Sequence, residues 1–162
     1  MKTAKPPGKR SPDGEREFPW SGIIASHVHG SKTRAAERLR ATDTVIEAVQ
    51  RGLPFAELEA LRAALDLPLD ALAPKLGVSR ATLHRRRLEG RLTQAESDRL
   101  MRFARLFGQA VAVFNDEAVA RDWLKRPQYG LAGAIPLEYA ETEMGAREVE
   151  ALLGRIDYGE YS

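Results

Sequence analysis

Residues 69–87 read LDALAPKLGVSRATLHRRR, and this stretch decides the fold. Leu72, Leu76, Val78 and Leu83 recur where two short helices pack on each other and on a third. Ala73 stands where the helices cross closely, so a larger side chain would push them apart. Gly77 falls at the turn, where φ > 0 costs little only without a Cβ. Ser79 is placed to cap the next helix through its hydroxyl. That helix carries Arg80, Thr82, His84, Arg85, Arg86 and Arg87, groups suited to phosphates and guanine edges. The stretch predicts a helix-turn-helix with a basic second helix, and from it DNA binding.

The whole chain sets the bounds. Its 162 residues, 43 % of them hydrophobic, allow one or two small domains of ordinary globular character. No run approaches the ~20 apolar residues of a membrane helix. The opening MKTAKPPGKRSPDGEREF is basic and rich in Pro and Gly but has no apolar centre, which predicts no signal peptide. Cysteine is absent, so disulfides, thiolate zinc sites and a thiol nucleophile are excluded. A cytoplasmic protein without a membrane partner is expected. The net charge of +2 hides a polarity. Residues 79–91 hold Arg80, Arg85, Arg86, Arg87 and Arg91 against Glu89 alone. Residues 137–162 hold Glu138, Glu141, Glu143, Glu148, Glu150, Asp157 and Glu160 against Arg147 and Arg155. The first region suits nucleic acid and the second would be repelled by it, which suggests two partners.

Periodicity orders the rest. Residues 1–30 lack an apolar period and are expected to form a disordered basic arm. Helical patterning starts near Ser31. Thr44 with Glu47 predicts a capping box for a helix carrying Val45, Ile46 and Val49 and ended by Gly52. Pro54 suits the first turn of the next helix, whose face is Phe55, Leu58, Leu61 and Leu65. Pro68 opens the helix-turn-helix, and Pro74 predicts that its first helix is kinked or short. Gly90 ends the recognition helix. Thr93 and Glu96 predict a second capping box, opening the longest periodic run, Leu100, Ala104, Phe107, Val111 and Phe114. Asp116 caps a helix reaching Trp123 and Leu124 and stopped by Pro127. A Gly-containing loop over 129–134 leads to a short helix at Pro136. The last helix is predicted from about Thr142 to Ile156. No segment alternates with period two. The expectation is an all-α chain with a helix-turn-helix domain over 31–92 and a small helical domain over 93–162.

In the DNA-binding reading Ser79, Arg80, His84 and Arg85 face the major groove, with Thr82 beside them. Arg86, Arg87 and Arg91 hold phosphates. A single small domain predicts a two-fold dimer on half-sites about one helical turn apart. The competing reading is a solvated basic face. His27 and His29 form an H-x-H pair without acidic or thiol ligands nearby, so no metal is expected. Phe103, Phe107, Phe114 and Trp123 are expected in the core. With no Gly-rich phosphate loop and no nucleophile beside an evident base, the chain predicts neither catalysis nor a cofactor.

At this level of detail the chain resembles the Xre/MbcA/ParS antitoxins, in which an Xre-like helix-turn-helix precedes a toxin-binding domain. The first half matches in Gly52-Leu53-Pro54, Leu76-Gly77-Val78-Ser79, Thr82-Leu83, Arg85-Arg86 and Glu89-Gly90-Arg91-Leu92. The second matches in Glu96-Ser97-Asp98-Arg99-Leu100, Phe114, Ala120, Trp123-Leu124, Pro136-Leu137, Thr142-Glu143, Gly145, Glu148-Val149 and Ile156-Asp157-Tyr158-Gly159. Two departures stand out. The loop Gly130-Leu131-Ala132-Gly133 lacks the usual Gly-Gly pair, and Arg86 occupies a place where many helix-turn-helix proteins have an apolar core residue.

The resemblance implies an antitoxin that binds a RES-domain toxin, an enzyme that depletes NAD⁺. It implies that the chain blocks the toxin active site and represses its own operon, as a homodimer and in a toxin–antitoxin hetero-oligomer. On that footing Val149, Leu152, Leu153, Ile156, Tyr158 and Tyr161 are expected to dock on the toxin. Asp157, Glu160 and the carboxylate of Ser162 would meet the cations that hold pyrophosphate. Two alternatives stay open: a stand-alone helix-turn-helix regulator without a toxin, and an interaction module that has lost DNA binding, as Arg86 and Pro74 suggest.

Overall fold

The computed structural model describes the backbone of residues 35–159 and the side chains of residues 43–159. The chain is all helical there: α1 (Ala35–Arg51), α2 (Phe55–Leu65), α3 (Leu69–Lys75), α4 (Arg80–Glu89), α5 (Gln94–Phe114), α6 (Glu117–Lys125), a 3₁₀ turn (Tyr129–Leu131), α7 (Pro136–Tyr139) and α8 (Glu143–Asp157). The arm over 1–30, with Trp20, Ile23, Ile24, His27 and His29, lies outside the described residues.

Most helix starts follow from side-chain caps. The Ser79 hydroxyl accepts from the Thr82 N–H at 3.2 Å, and Asp116 accepts from the Val119 N–H at 3.0 Å. Thr142 does the same for Gly145 at 3.0 Å. Thr93 and Glu96 close a reciprocal capping box: Glu96 N–H donates to Thr93 Oγ1 at 3.2 Å, and Thr93 N–H donates to Glu96 Oε2 at 2.8 Å. Thr44 and Glu47 have the same spacing and form no such start. α1 runs on from Ala35, so Thr44 lies in its interior, where backbone donors already have partners one turn back. Glu47 instead pairs with Arg51 one turn on, at 3.2 Å. Pro54 sits one place before its expected position, capping α2 rather than entering it.

α3 is short, as Pro74 predicts. It ends in a Schellman turn, with Val78 N–H on Ala73 O at 2.9 Å and Gly77 N–H on Pro74 O at 2.9 Å. Gly77 takes φ +67, the left-handed residue this turn requires. A second close approach fixes the far end of the recognition helix. Gly52, at φ +85, lies so near the α4–α5 linker that a Cβ there would fall 2.1 Å from Leu92 O. The two linkers pair through Leu92 N–H to Leu53 O and Phe55 N–H to Gly90 O, each 2.9 Å, forming an isolated Pro54–Arg91 bridge.

α5 is the spine. At 21 residues it is about 30 Å long, and it packs against α1, α2, α6 and α8. Phe103, Phe107, Leu100, Ala104 and Ala110 are fully enclosed on it. The apolar core is one continuous cluster from Val45 to Leu153, with no break at Leu92, itself buried. Phe114 and Trp123 close its α5–α6 corner with ring centroids 5.7 Å apart.

Candidate functional site

The recognition helix α4 divides its cations between an inner and an outer side. Leu83 anchors the inner side in the core. Arg86 lies on that side with only 13 % of its side chain exposed. Its Nε donates to both Glu96 oxygens, at 2.8 and 3.1 Å, and its Nη1 donates to Glu89 at 2.7 Å. Arg86 is therefore no phosphate contact, contrary to expectation. It takes the apolar core position noted in the sequence, and the carboxylate that closes the α5 capping box neutralises it. The Glu96 hydrogen bond chiefly, with that of Glu89, raises the Arg86 pKa. Burial would push the Glu96 carboxyl up, but Arg86 and the Thr93 N–H outweigh it and hold Glu96 below the usual carboxylate range.

The remaining cations are tethered more lightly. Arg80 meets Asp70 at 2.7 Å, with 83 % and 62 % of the two side chains exposed, so solvent screens the pair and phosphate can replace the carboxylate. Arg87 lies 5.5 Å over the Phe55 ring and 3.2 Å from Glu59. Arg91 Nη1 donates to Gly52 O at 2.7 Å, satisfying a carbonyl beyond the end of α1. Ser79 and Thr82 hold each other at 3.0 Å across the cap. His84 and Arg85 point outward, Arg85 only loosely near Glu89 at 3.9 Å. Ala81 and Leu88 share that outer face, and sequence reasoning passed over both.

The last helix shows the same division with opposite charge. Val149, Leu152 and Leu153 are buried in the chain's own core at 0–2 % exposure. They are not available to a partner, which corrects the expectation for these three. Ile156 is half-buried against the same core, whereas Asp157 and Tyr158 are exposed. Glu160, Tyr161 and Ser162 lie outside the described residues. Three of the acids are internal ties. Glu143 takes Arg102 at 3.0 Å, Glu150 takes Arg105, and Glu141 takes Lys75 at 3.0 Å. Burial opposes ionisation of Glu143, but Arg102, Arg105 and Arg147 hold its pKa down. The outward face of α8 carries Met144, Glu148, Ala151, Arg155 and Tyr158, and the described residues include no ion pair to Glu148 or Asp157. Tyr129, 95 % exposed, stands nearby, because the adjoining Gly130 backs onto Leu152.

Polar ties absent from the sequence reading join the two halves. Arg99 donates to Leu76 O at 3.0 Å behind the helix-turn-helix, and Arg121 donates to Ala64 O at 2.7 Å. Lys75 adds its bond to Glu141.

Two family models and several relatives match this chain. Residues 44–105 match the model of the antitoxin Xre-like helix-turn-helix domain. Residues 109–159 match that of the antitoxin Xre/MbcA/ParS C-terminal toxin-binding domain. The two matches meet inside α5. An antitoxin Xre of Yersinia enterocolitica is 32 % identical over 120 residues, 73 % of this chain and 81 % of that protein. One of Photorhabdus laumondii is 43 % identical over 72 residues, covering 44 % and 49 %, and one of Pseudomonas putida is 38 % identical over 68 residues, covering 42 % and 43 %. These relatives are antitoxins, and the second matched domain is a toxin-binding one. The chain belongs to the Xre/MbcA/ParS antitoxin family.

Proposed function

We propose that this chain neutralises a RES-type, NAD⁺-depleting toxin through its C-terminal half and represses its own operon through α4. The observation that carries the proposal is the separation of used from unused groups. Buried side chains and buried pairs hold the fold together, while an outward cationic face on α4, tied only by exposed pairs, and an outward face on α8 remain available. On α4 and at its two ends the operator contacts are Ser79, Arg80, Thr82, His84 and Arg85, with Arg87 and Arg91 toward phosphate. On the other half, Asp157 and Tyr158 lead from the exposed end of α8 into Glu160, Tyr161 and Ser162. That carboxylate-bearing end enters the toxin site where pyrophosphate would lie, with Ile156 supporting its base.

The chain acts as a homodimer on two half-sites and as a hetero-oligomer with toxin, in the cytoplasm where the operator is. Among the described residues no helix is long and apolar enough to cross a membrane. Co-expression with the protein encoded beside it tests the reading, scored by growth and cellular NAD⁺. Protection by the full chain is expected, and loss of protection on deleting residues 155–162 with operator binding retained. Tyr158→Ala, at an exposed position, gives the same answer without shortening the helix. Protection by the shortened chain would overturn the proposed contact. A neighbouring protein that neither depletes NAD⁺ nor binds this chain would favour a stand-alone regulator.

A further inference from the structure

The outer ridge of α4 alternates apolar and basic groups. Ala81, Arg85 and Leu88 stand at i, i+4 and i+7, all exposed, and Leu88 is 76 % exposed. A lone surface leucine is ordinary. This one shares a ridge with the only α4 arginine whose nearest carboxylate is as far as 3.9 Å. The ridge is flanked by Arg80 and Arg87, whose carboxylate partners Asp70 and Glu59 are partly exposed and exchangeable for phosphate. That charge arrangement selects a polyanion as the occupant of the ridge. Within the major groove the apolar feature on offer is the thymine C5-methyl group, and guanine offers paired acceptors to a guanidinium.

We propose that Leu88 and Ala81 read thymine methyl groups on either side of a guanine held by Arg85. The inference rests on the DNA-binding reading above and adds what that surface recognises. Seven residues advance about 10.5 Å along a helix, or about three base-pair steps of 3.4 Å. The preferred half-site therefore has a G·C pair with thymines about one to two steps away on both sides.

The test begins with selection by the full chain from a randomised duplex library. Binding of the enriched duplex is then titrated with each flanking thymine replaced by deoxyuridine, which lacks only the methyl group. Enrichment of thymine-flanked G·C is expected. Loss of the methyl facing Leu88 should weaken binding about fourfold, the equivalent of one buried methyl-sized group. Leu88→Ala should bind the thymine and deoxyuridine duplexes equally, while keeping the penalty at the other flank. Its thermal melt should match the parent, since the side chain is exposed. Enrichment without flanking thymine, no deoxyuridine penalty, or a penalty that survives in Leu88→Ala would each overturn the inference and leave DNA binding standing. A chain that selects no duplex at all would overturn both.

Discussion

Helices α4 and α8 are both strongly charged, and both turn their innermost charges into structure. On α4 the inner cation is Arg86, locked to Glu96 and Glu89. On α8 the inner anions are Glu143 and Glu150, locked to Arg102 and Arg105. The two helices differ in what remains outside. α4 leaves arginines and a histidine; α8 leaves Glu148, Arg155, Asp157, Met144 and Tyr158. Charge counted along the chain overstates both surfaces, because the groups nearest the core are already neutralised by partners on α5. The charges available to a partner are those on the outer faces: cationic on α4, and on α8 the carboxylates of Glu148 and Asp157 beside Arg155.

The sharpest way to break this comparison is to remove an inner partner. Glu96→Ala deletes a buried carboxylate, one arm of a capping box and the main partner of Arg86. It should lower unfolding stability by about 3 kcal/mol, read by denaturant titration. Outer-face substitutions should leave stability intact and act on one partner each. Arg85→Ala should weaken operator binding about ten- to a hundredfold, the equivalent of a bidentate base contact, without moving the melt. Tyr158→Ala should weaken toxin capture about thirtyfold if the exposed ring anchors the contact, measured by calorimetry with the purified toxin.

Acid titration sharpens the same division. Glu96 is held below its ordinary value of 4.5, so its contribution to stability is complete above that value and is lost as pH falls through the lower folded one. Glu57 has the opposite sign. It is buried on α2, burial raises its pKa, and Oε2 has no hydrogen-bond partner among the described residues. Its ionisation in the unfolded chain therefore detracts from stability as pH rises through 4.5. Glu57→Gln should stabilise the fold at pH 7 by about 1 kcal/mol, an advantage that disappears in acid. The smallest effect concerns the loop before α7. Ala132 and Gly133 are both left-handed there, at φ 53 and φ 83, a conformation that costs alanine energy and glycine none. Ala132→Gly should stabilise by about 0.5 kcal/mol, the αL penalty of alanine less the added chain entropy of glycine.

Local signals carried most of the fold. The Ser79, Thr93, Asp116 and Thr142 caps and the Gly52, Gly77 and Gly90 ends are short-range chemistry, and each is visible in a few residues. Thr44–Glu47 misled because a cap works only where the chain upstream is not already helical, a condition that four residues cannot reveal. Arg86 misled because its partner, ten residues on, looked fully occupied in a capping box of its own. The α8 stripe of Val149, Leu152 and Leu153 marks an apolar face but does not say whether the cover is the chain's own α5 or another protein. Lys75, Arg99 and Arg121 reach partners more than twenty residues away, and no local pattern announces such a bond.

The central claim is that the outer faces of α4 and α8 serve two different partners independently. The direct measurement is affinity for operator DNA and for toxin in the same two variants, Arg85→Ala and Tyr158→Ala. The account predicts that Arg85→Ala loses DNA and keeps toxin while Tyr158→Ala does the reverse. A variant that loses both affinities while still folded, or a pair that loses neither, would contradict it.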